Sequence, residues 1–239
     1  MSMSMRTIMK IPFGRRVAPR VAAIVPQPRR VRHARRAALE EPPAARSEWA
    51  PSNSLPSIMK RHIALLRGIN VGKAKRVAMA DLRALMEGLG HANVRTLLNS
   101  GNAVFDAKSG APAALAAKLK AAILARTGVD CEVIVKTAAE LAAAIAEHPL
   151  RHHANDDARL LVMFTQDAAA LASLKALEAG DWAPEAFAVS EHAAWLWCAN
   201  GVIESRVSKA VGKLLKASGT ARNWATVEKL DAMARTDAA

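Results

Sequence analysis

From residue 60 onward the chain switches repeatedly between two apolar periods. Ile63 to Ile69 is a short apolar run ending in glycine and asparagine, which predicts a buried strand. Met79, Leu82, Leu85, Met86 and Leu89 share one face of a helix, and Gly90 follows as its stop. Val94–Leu98 and Ala103–Phe105 read as strands joined by the turn sequence Asn99-Ser100-Gly101-Asn102. Pro112 opens a helix that turns Leu115, Leu119, Ala122 and Ile123 inward and closes at Gly128. Cys131, Val133 and Val135 then alternate with Glu132, Ile134 and Lys136, the period of a strand.

The second half repeats this order. Thr137 and Glu140 have capping-box spacing for a connecting helix that ends before Pro149. Arg159–Thr165 predicts a strand, with Asp167 capping a helix that carries Leu171, Leu174 and Leu177. Strands follow at Ala186–Ser190 and Ala194–Cys198, then a helix bearing Val207, Val211, Leu214 and Leu215. After Gly219 come a short segment and a last helix with Trp224, Val227 and Leu230. Strand, helix, strand, strand, helix thus appears twice. The expectation is an α+β protein of two tandem ferredoxin-like (split βαβ) subdomains with small antiparallel sheets. They span residues 58–136 and 158–235, with a connecting helix and loop over 137–157. Trp195 and Trp197 fall on one side of their strand, where core or interface packing competes with an exposed stacking surface.

Composition changes the picture mainly for the N-terminus. The net charge of +13 invites a nucleic-acid or membrane-surface partner. Residues 1–57, however, hold eleven Lys or Arg against three acids, and eight of the eleven prolines. They carry no apolar period, so they read as a disordered basic arm. Three readings compete for it: an organellar transit peptide, a nucleic-acid-binding arm around Arg29–Arg36, or a segment preceding a true start at Met59. A secretory leader fits poorly, because Arg20, Pro26 and Pro28 interrupt its apolar stretch. The remaining 23 bases and 18 acids of the body are a mild bias. Two cysteines exclude a disulfide framework and suggest a reducing, cytoplasmic setting. No apolar run approaches the roughly 18 residues of a membrane span.

Three motifs carry candidate chemistry. Arg67-Gly68-Ile69-Asn70-Val71-Gly72-Lys73 ends the first strand. Its glycine spacing and the following Ala74 do not fit a nucleotide P-loop, but glycines amid Arg67, Lys73, Lys75 and Arg76 suit a looser anion site. A solvated, flexible connection is the competing reading. The second motif is Ser100-Gly101-Asn102. In the ferredoxin-like order the first and third strands are antiparallel neighbours, so this turn falls beside Arg67–Asn70. The third is Thr220-Ala221-Arg222-Asn223-Trp224-Ala225-Thr226, where Asn223 suits a helix cap and Arg222 an anion or a tether. His148, His152 and His153 with Asp156 and Asp157 resemble a metal cluster only in number, because Pro149 breaks their alignment, so no metal site is expected.

At these motifs the sequence resembles the domain of unknown function 1697 family. ALLRGINVG at Ala64–Gly72, SGNAVF at Ser100–Phe105 and TARNWATVEKL at Thr220–Leu230 carry the resemblance, which covers about residues 58–235. It implies a largely bacterial, cytoplasmic protein of paired α/β subdomains with no established activity or cofactor. The characteristic positions fall on Arg67, Gly68, Asn70, Gly72, Ser100, Gly101, Asn102, Thr220, Arg222, Asn223, Trp224 and Thr226. Lys73, Ala74 and Ala225 depart from the family pattern.

The residues favour a small anionic ligand, a phosphate, carboxylate or nucleotide, where Arg67, Gly68, Asn70 and Gly72 meet Ser100, Gly101 and Asn102, with Arg222 and Asn223 nearby. A protein-interaction or regulatory domain using the tryptophan-rich second half is the alternative. A nucleic-acid module ranks third, since strands one and three offer only Phe105 for base stacking.

Overall fold

The computed structural model describes residues 59–72, 75–153 and 155–236. The basic arm over 1–57 lies outside the described residues, as do Lys73 and Ala74 of the first motif. The first half runs β1 (Lys60–Arg67), α1 (Met79–Gly88), β2 (Ala92–Leu97), β3 (Asn102–Ala107), α2 (Pro112–Thr127) and β4 (Glu132–Thr137). Its sheet is antiparallel in the order β2-β3-β1-β4. The connecting helix α3 spans Ala138–Glu147. The second half runs β5 (Leu160–Thr165), α4 (Ala168–Ser173), β6 (Ala186–Val189), β7 (Ala194–Trp197), α5 (Arg206–Leu215), β8 (Gly219–Asn223) and α6 (Trp224–Arg235). Its sheet has the equivalent order, β6-β7-β5-β8, again antiparallel. The protein is therefore α+β, with two four-stranded sheets and six α-helices among the described residues.

Local chemistry sets most element ends. Thr137 and Glu140 form the full reciprocal capping box of α3. Asp167 and Asn223 cap α4 and α6 through their side chains. Pro112 begins α2, and Gly128 ends it in a left-handed conformation. Two expectations need correction. The helix predicted through Leu171, Leu174 and Leu177 is six α-helical residues followed by a 3-10 turn over Leu174–Leu177. A strict spacing of three matches the 3-10 repeat better than the α period. The short segment after Gly219 is a strand that completes the second sheet beside β5.

Side chains from successive strand positions enter different cores. Ala64 and Leu66 of β1 face α1 and α2, packing with Phe105, Leu82, Met86, Leu119 and Ile123. Ile63 and Leu65 face the other way, into a central core shared with the second sheet. There they meet Val162, Phe164, Trp195 and Trp197, with Leu141 from α3 and Val227 and Leu230 from α6. Leu161, Leu196 and Cys198 point outward again, against Val207, Val211 and Leu215 of α5. Both faces of each sheet are thus covered, which is why β1 and β7 read as unbroken apolar runs.

Candidate functional site

The two halves meet near the end of β1. Leu65 pairs with Asn102, and the Leu66 amide donates to Gly101 O at 2.7 Å. The first and second motifs are therefore adjacent. Gly101 is required there: its φ is +80°, and an added Cβ would lie 2.7 Å from Leu66 Cβ. Asn102 is fully buried, and its Nδ2 donates to Leu97 O and Ser100 Oγ, both at 3.0 Å. It shapes the turn from within rather than reaching solvent.

The third motif arrives from β8. Arg222, 8% exposed, lays its guanidinium across the first-half turn. Its Nε donates to Asn102 Oδ1. Nη1 donates to Thr220 Oγ1 and Ala221 O, each at 2.8 Å, and Nη2 to Leu66 O at 2.6 Å, with longer approaches to Ser100 and Gly101 carbonyls. Every acceptor is neutral. Burial pulls the Arg222 guanidinium down to about 10, so it stays cationic at neutral pH.

Beside it lies a cleft of about 370 Å³ between the halves. Arg67, Gly68, Ser100 and Arg222 line it together with Thr220 and Ser208. Arg67 Nη1 donates to Gly219 O at 2.5 Å, and this is its one side-chain hydrogen bond among the described residues. Glu132 sits opposite Arg67 in the β1–β4 register but is paired with Lys120. Arg67 thus keeps free donors at the cleft.

Not every candidate residue reaches this cleft. Asn70 holds its own loop closed: Nδ2 donates to Val77 O and Asn99 O at 2.9 and 2.7 Å, and Oδ1 accepts from the Val77 amide at 2.9 Å. It lines a separate recess with Arg76 and Asn99. Gly72 is exposed in the same loop. Asn223 is committed to α6, accepting from Thr226 Oγ1 at 2.5 Å and from its amide at 3.2 Å. Ser208 of α5 and Met163 of β5 also line the cleft and were not singled out in the sequence. Their only signal was position: no local pattern shows that β5, α5 and β8 meet beside Arg67.

The other candidate chemistry does not assemble. The His148 ring stacks on Trp195 at 4.3 Å between centroids, 6° apart, while His152 and His153 are exposed. Burial, assisted by Arg151, holds His148 below the ordinary histidine value. Glu147, Glu191 and His192 approach one another, but Glu147 already binds the His192 ring and amide. Trp195 and Trp197 are core residues, which withdraws them from any exposed surface. Phe105 is fully buried beneath α1 and α2. Among the described residues no helix is long and apolar enough to cross a membrane.

A family model described as Protein of unknown function (DUF1697) matches residues 59–195, more than half of the chain. The chain belongs to the DUF1697 family. No curated protein matches it. Its fold is similar to that of a solved structure, the conserved bacterial protein SP0830 from Streptococcus pneumoniae, at 23% identity and a TM-score of 0.63. The likeness covers 74% of this chain and 100% of that one. The DUF1697 match includes the Arg67 and Ser100–Asn102 motifs but stops before Arg222. One part of the candidate site therefore lies inside the matched span and one beyond it.

Proposed function

We propose that this DUF1697 protein binds a small anionic ligand in the cleft where β1, the Ser100–Asn102 turn and β8 meet. One observation carries the reading: two arginines line this cleft, and neither has a carboxylate partner among the described residues. Arg222 has its donors filled by neutral oxygens and contributes charge; Arg67 contributes both charge and free donors. A carboxylate or phosphate accepts the fork of a guanidinium in paired hydrogen bonds. Gly68 and Ser100 line the wall, Gly101 lets the turn pack against Leu66 behind it, Asn102 positions Arg222, and Asn70, Gly72 and Asn223 act as scaffold around it.

The same reading takes the chain as two ferredoxin-like subdomains, 58–136 and 158–235, joined by 137–157. The repeated element order and the two equivalent strand orders support it. A ligand between tandem units is a common arrangement for sites at subdomain junctions. The reading also takes the protein as cytoplasmic, supported by two buried, unpaired cysteines.

The test is thermal unfolding of the full chain with inorganic phosphate, phosphate monoesters and dicarboxylates. A bound anion at a hundredfold excess over its Kd stabilises by about 2.7 kcal/mol, a clear shift in Tm. Arg67→Ala removes that shift while the apo protein stays folded. An Arg67→Ala variant that responds to anions like the wild type would overturn the reading.

A further inference from the structure

Arg67 and Gly68 form a wall shared by two clefts of different chemistry. On one side is the cleft between the halves, whose apolar lining comes from Ile69, Val71, Met163 and Leu215. On the other is a cleft of about 350 Å³ lined by Lys75, Lys216, Asp130 and Glu132. Both acids are engaged by Lys120, which contacts Glu132 directly and Asp130 at 3.8 Å. With Lys120 counted against them, Arg67, Lys75 and Lys216 leave the second cleft cationic.

Lys216 is the unusual member. It follows α5 with φ 50° and ψ −108°, a backbone that L-residues rarely adopt. Its ammonium has no hydrogen bond or ion pair among the described residues, and the residue is exposed. Lys75 also has positive φ, 52°, and its Nζ donates to Asp130 O at 3.2 Å. On the far side of the wall, Ser208 Oγ has no partner among the described residues, although the Ser208 amide is held by Ser205. A bare inorganic anion uses the cations and leaves the apolar lining wet. A ligand with an apolar body removes that surface from water as well.

We infer that the site takes a two-part organic acid. Its phosphate or carboxylate head takes the free donors of Arg67, with Lys216 and Lys75 adding positive charge from the other side of the wall, and its apolar body lies in the same cleft along Ile69, Val71, Met163 and Leu215. Ser208 Oγ supplies a hydrogen bond to a polar substituent on that body. This rests on the anion-binding reading above and goes beyond it by assigning the rest of the ligand. The cleft between the halves suits a compact acid with an apolar ring or short chain, because the apolar lining is confined to that side of Arg67.

Calorimetric titration of the full 239-residue chain with inorganic phosphate, phenyl phosphate and phenylacetate tests it. Phenyl phosphate or phenylacetate is expected to bind about tenfold more tightly than inorganic phosphate, the gain of burying one apolar body. Val71→Ser, at a position 73% exposed, weakens the aromatic acids about threefold and leaves inorganic phosphate unchanged. Lys216→Gln weakens phosphate and phenyl phosphate by the same factor, because both share the head-group position. Aromatic acids that bind no more tightly than inorganic phosphate, or that ignore Val71→Ser, overturn the two-part ligand and leave the anion site standing. An absence of heat with all three ligands, in wild type and Arg67→Ala alike, overturns both.

Discussion

The two ends of β1 place arginine in opposite circumstances. At the start, Arg61 forms a paired contact with Asp106, Nε to Oδ1 at 2.8 Å and Nη2 to Oδ2 at 3.1 Å. From there its Nη1 reaches Ala234 O and Thr236 O, at the C-terminal end of α6. Arg95 joins it on Met233 O and Thr236. Cations on the last carbonyls of a helix also complement its dipole. At the other end of β1, among the described residues, Arg222 binds neutral oxygens alone and Arg67 keeps donors unused. Both ends tie the β8–α6 segment to the first sheet. One end neutralises its charge within the fold, as a structural joint does; the other leaves charge over, beside a cleft.

That contrast is best broken at its most buried point. Arg222→Met leaves Asn102 Oδ1, Leu66 O and Thr220 Oγ1 without their donor, and is expected to cost about 3–5 kcal/mol in urea unfolding. A loss below about 1 kcal/mol would show that Arg222 does not join the halves. Gly101→Ala follows, at about 2–3 kcal/mol, because a Cβ at φ +80° collides with Leu66. Arg222 stays in place in that variant only if the turn shifts, so its Tm reads the rigidity of the junction.

Asp106→Asn probes the neutralised end, with an expected loss of about 1–3 kcal/mol at neutral pH. Its signature is pH dependence. The hydrogen bond from Arg61, helped by Asn93 and opposed by burial, holds the Asp106 carboxyl below its ordinary value of 3.8. A depressed folded pKa means that the unfolded chain takes up the proton first. The contribution is therefore complete above about pH 5 and fades as pH falls through 3.8 toward the lower folded value. Wild type and Asp106→Asn should converge in acid; a constant gap between their stabilities down to pH 2 would contradict this. The smallest effect on stability belongs to Arg67→Ala, about 1 kcal/mol or less for one hydrogen bond to Gly219 O. The same substitution is expected to erase the anion response. A large stability loss there would make Arg67 a joint like Arg61.

The sheet faces show what kind of information the sequence holds. Alternation and turn chemistry located β1, β3, α2 and α3 because their signals are local: Pro112, Gly128 and the Thr137–Glu140 pair act on neighbouring backbone. The unbroken run Ile63–Leu66 also announced burial on both faces, although not by what. Strand β8 was missed because Gly219–Asn223 carries Thr220, Arg222 and Asn223, whose polarity hides a strand that β5 and the Arg222 clamp hold in place. Of the residues singled out in the sequence, the structure brings Arg67, Gly68, Ser100 and Arg222 to one cleft. Asn70 and Asn223 were not distinguishable from them, since asparagine serves a turn, a cap or a ligand equally well in sequence.

By itself, then, the sequence determined the order of most elements, the caps of α3, α4 and α6 and the adjacency of the Arg67 and Ser100–Asn102 motifs, all consequences of short-range periodicity and antiparallel pairing. The tertiary structure decided which polar groups are consumed by the fold and which are left over. Hydrogen-bond partners of Arg222 lie as far as 156 residues away in the chain. No local pattern encodes such a distance. Only the packing of one sheet against the other shows that Asp106 answers the charge of Arg61 while, among the described residues, no carboxylate answers those of Arg67 and Arg222.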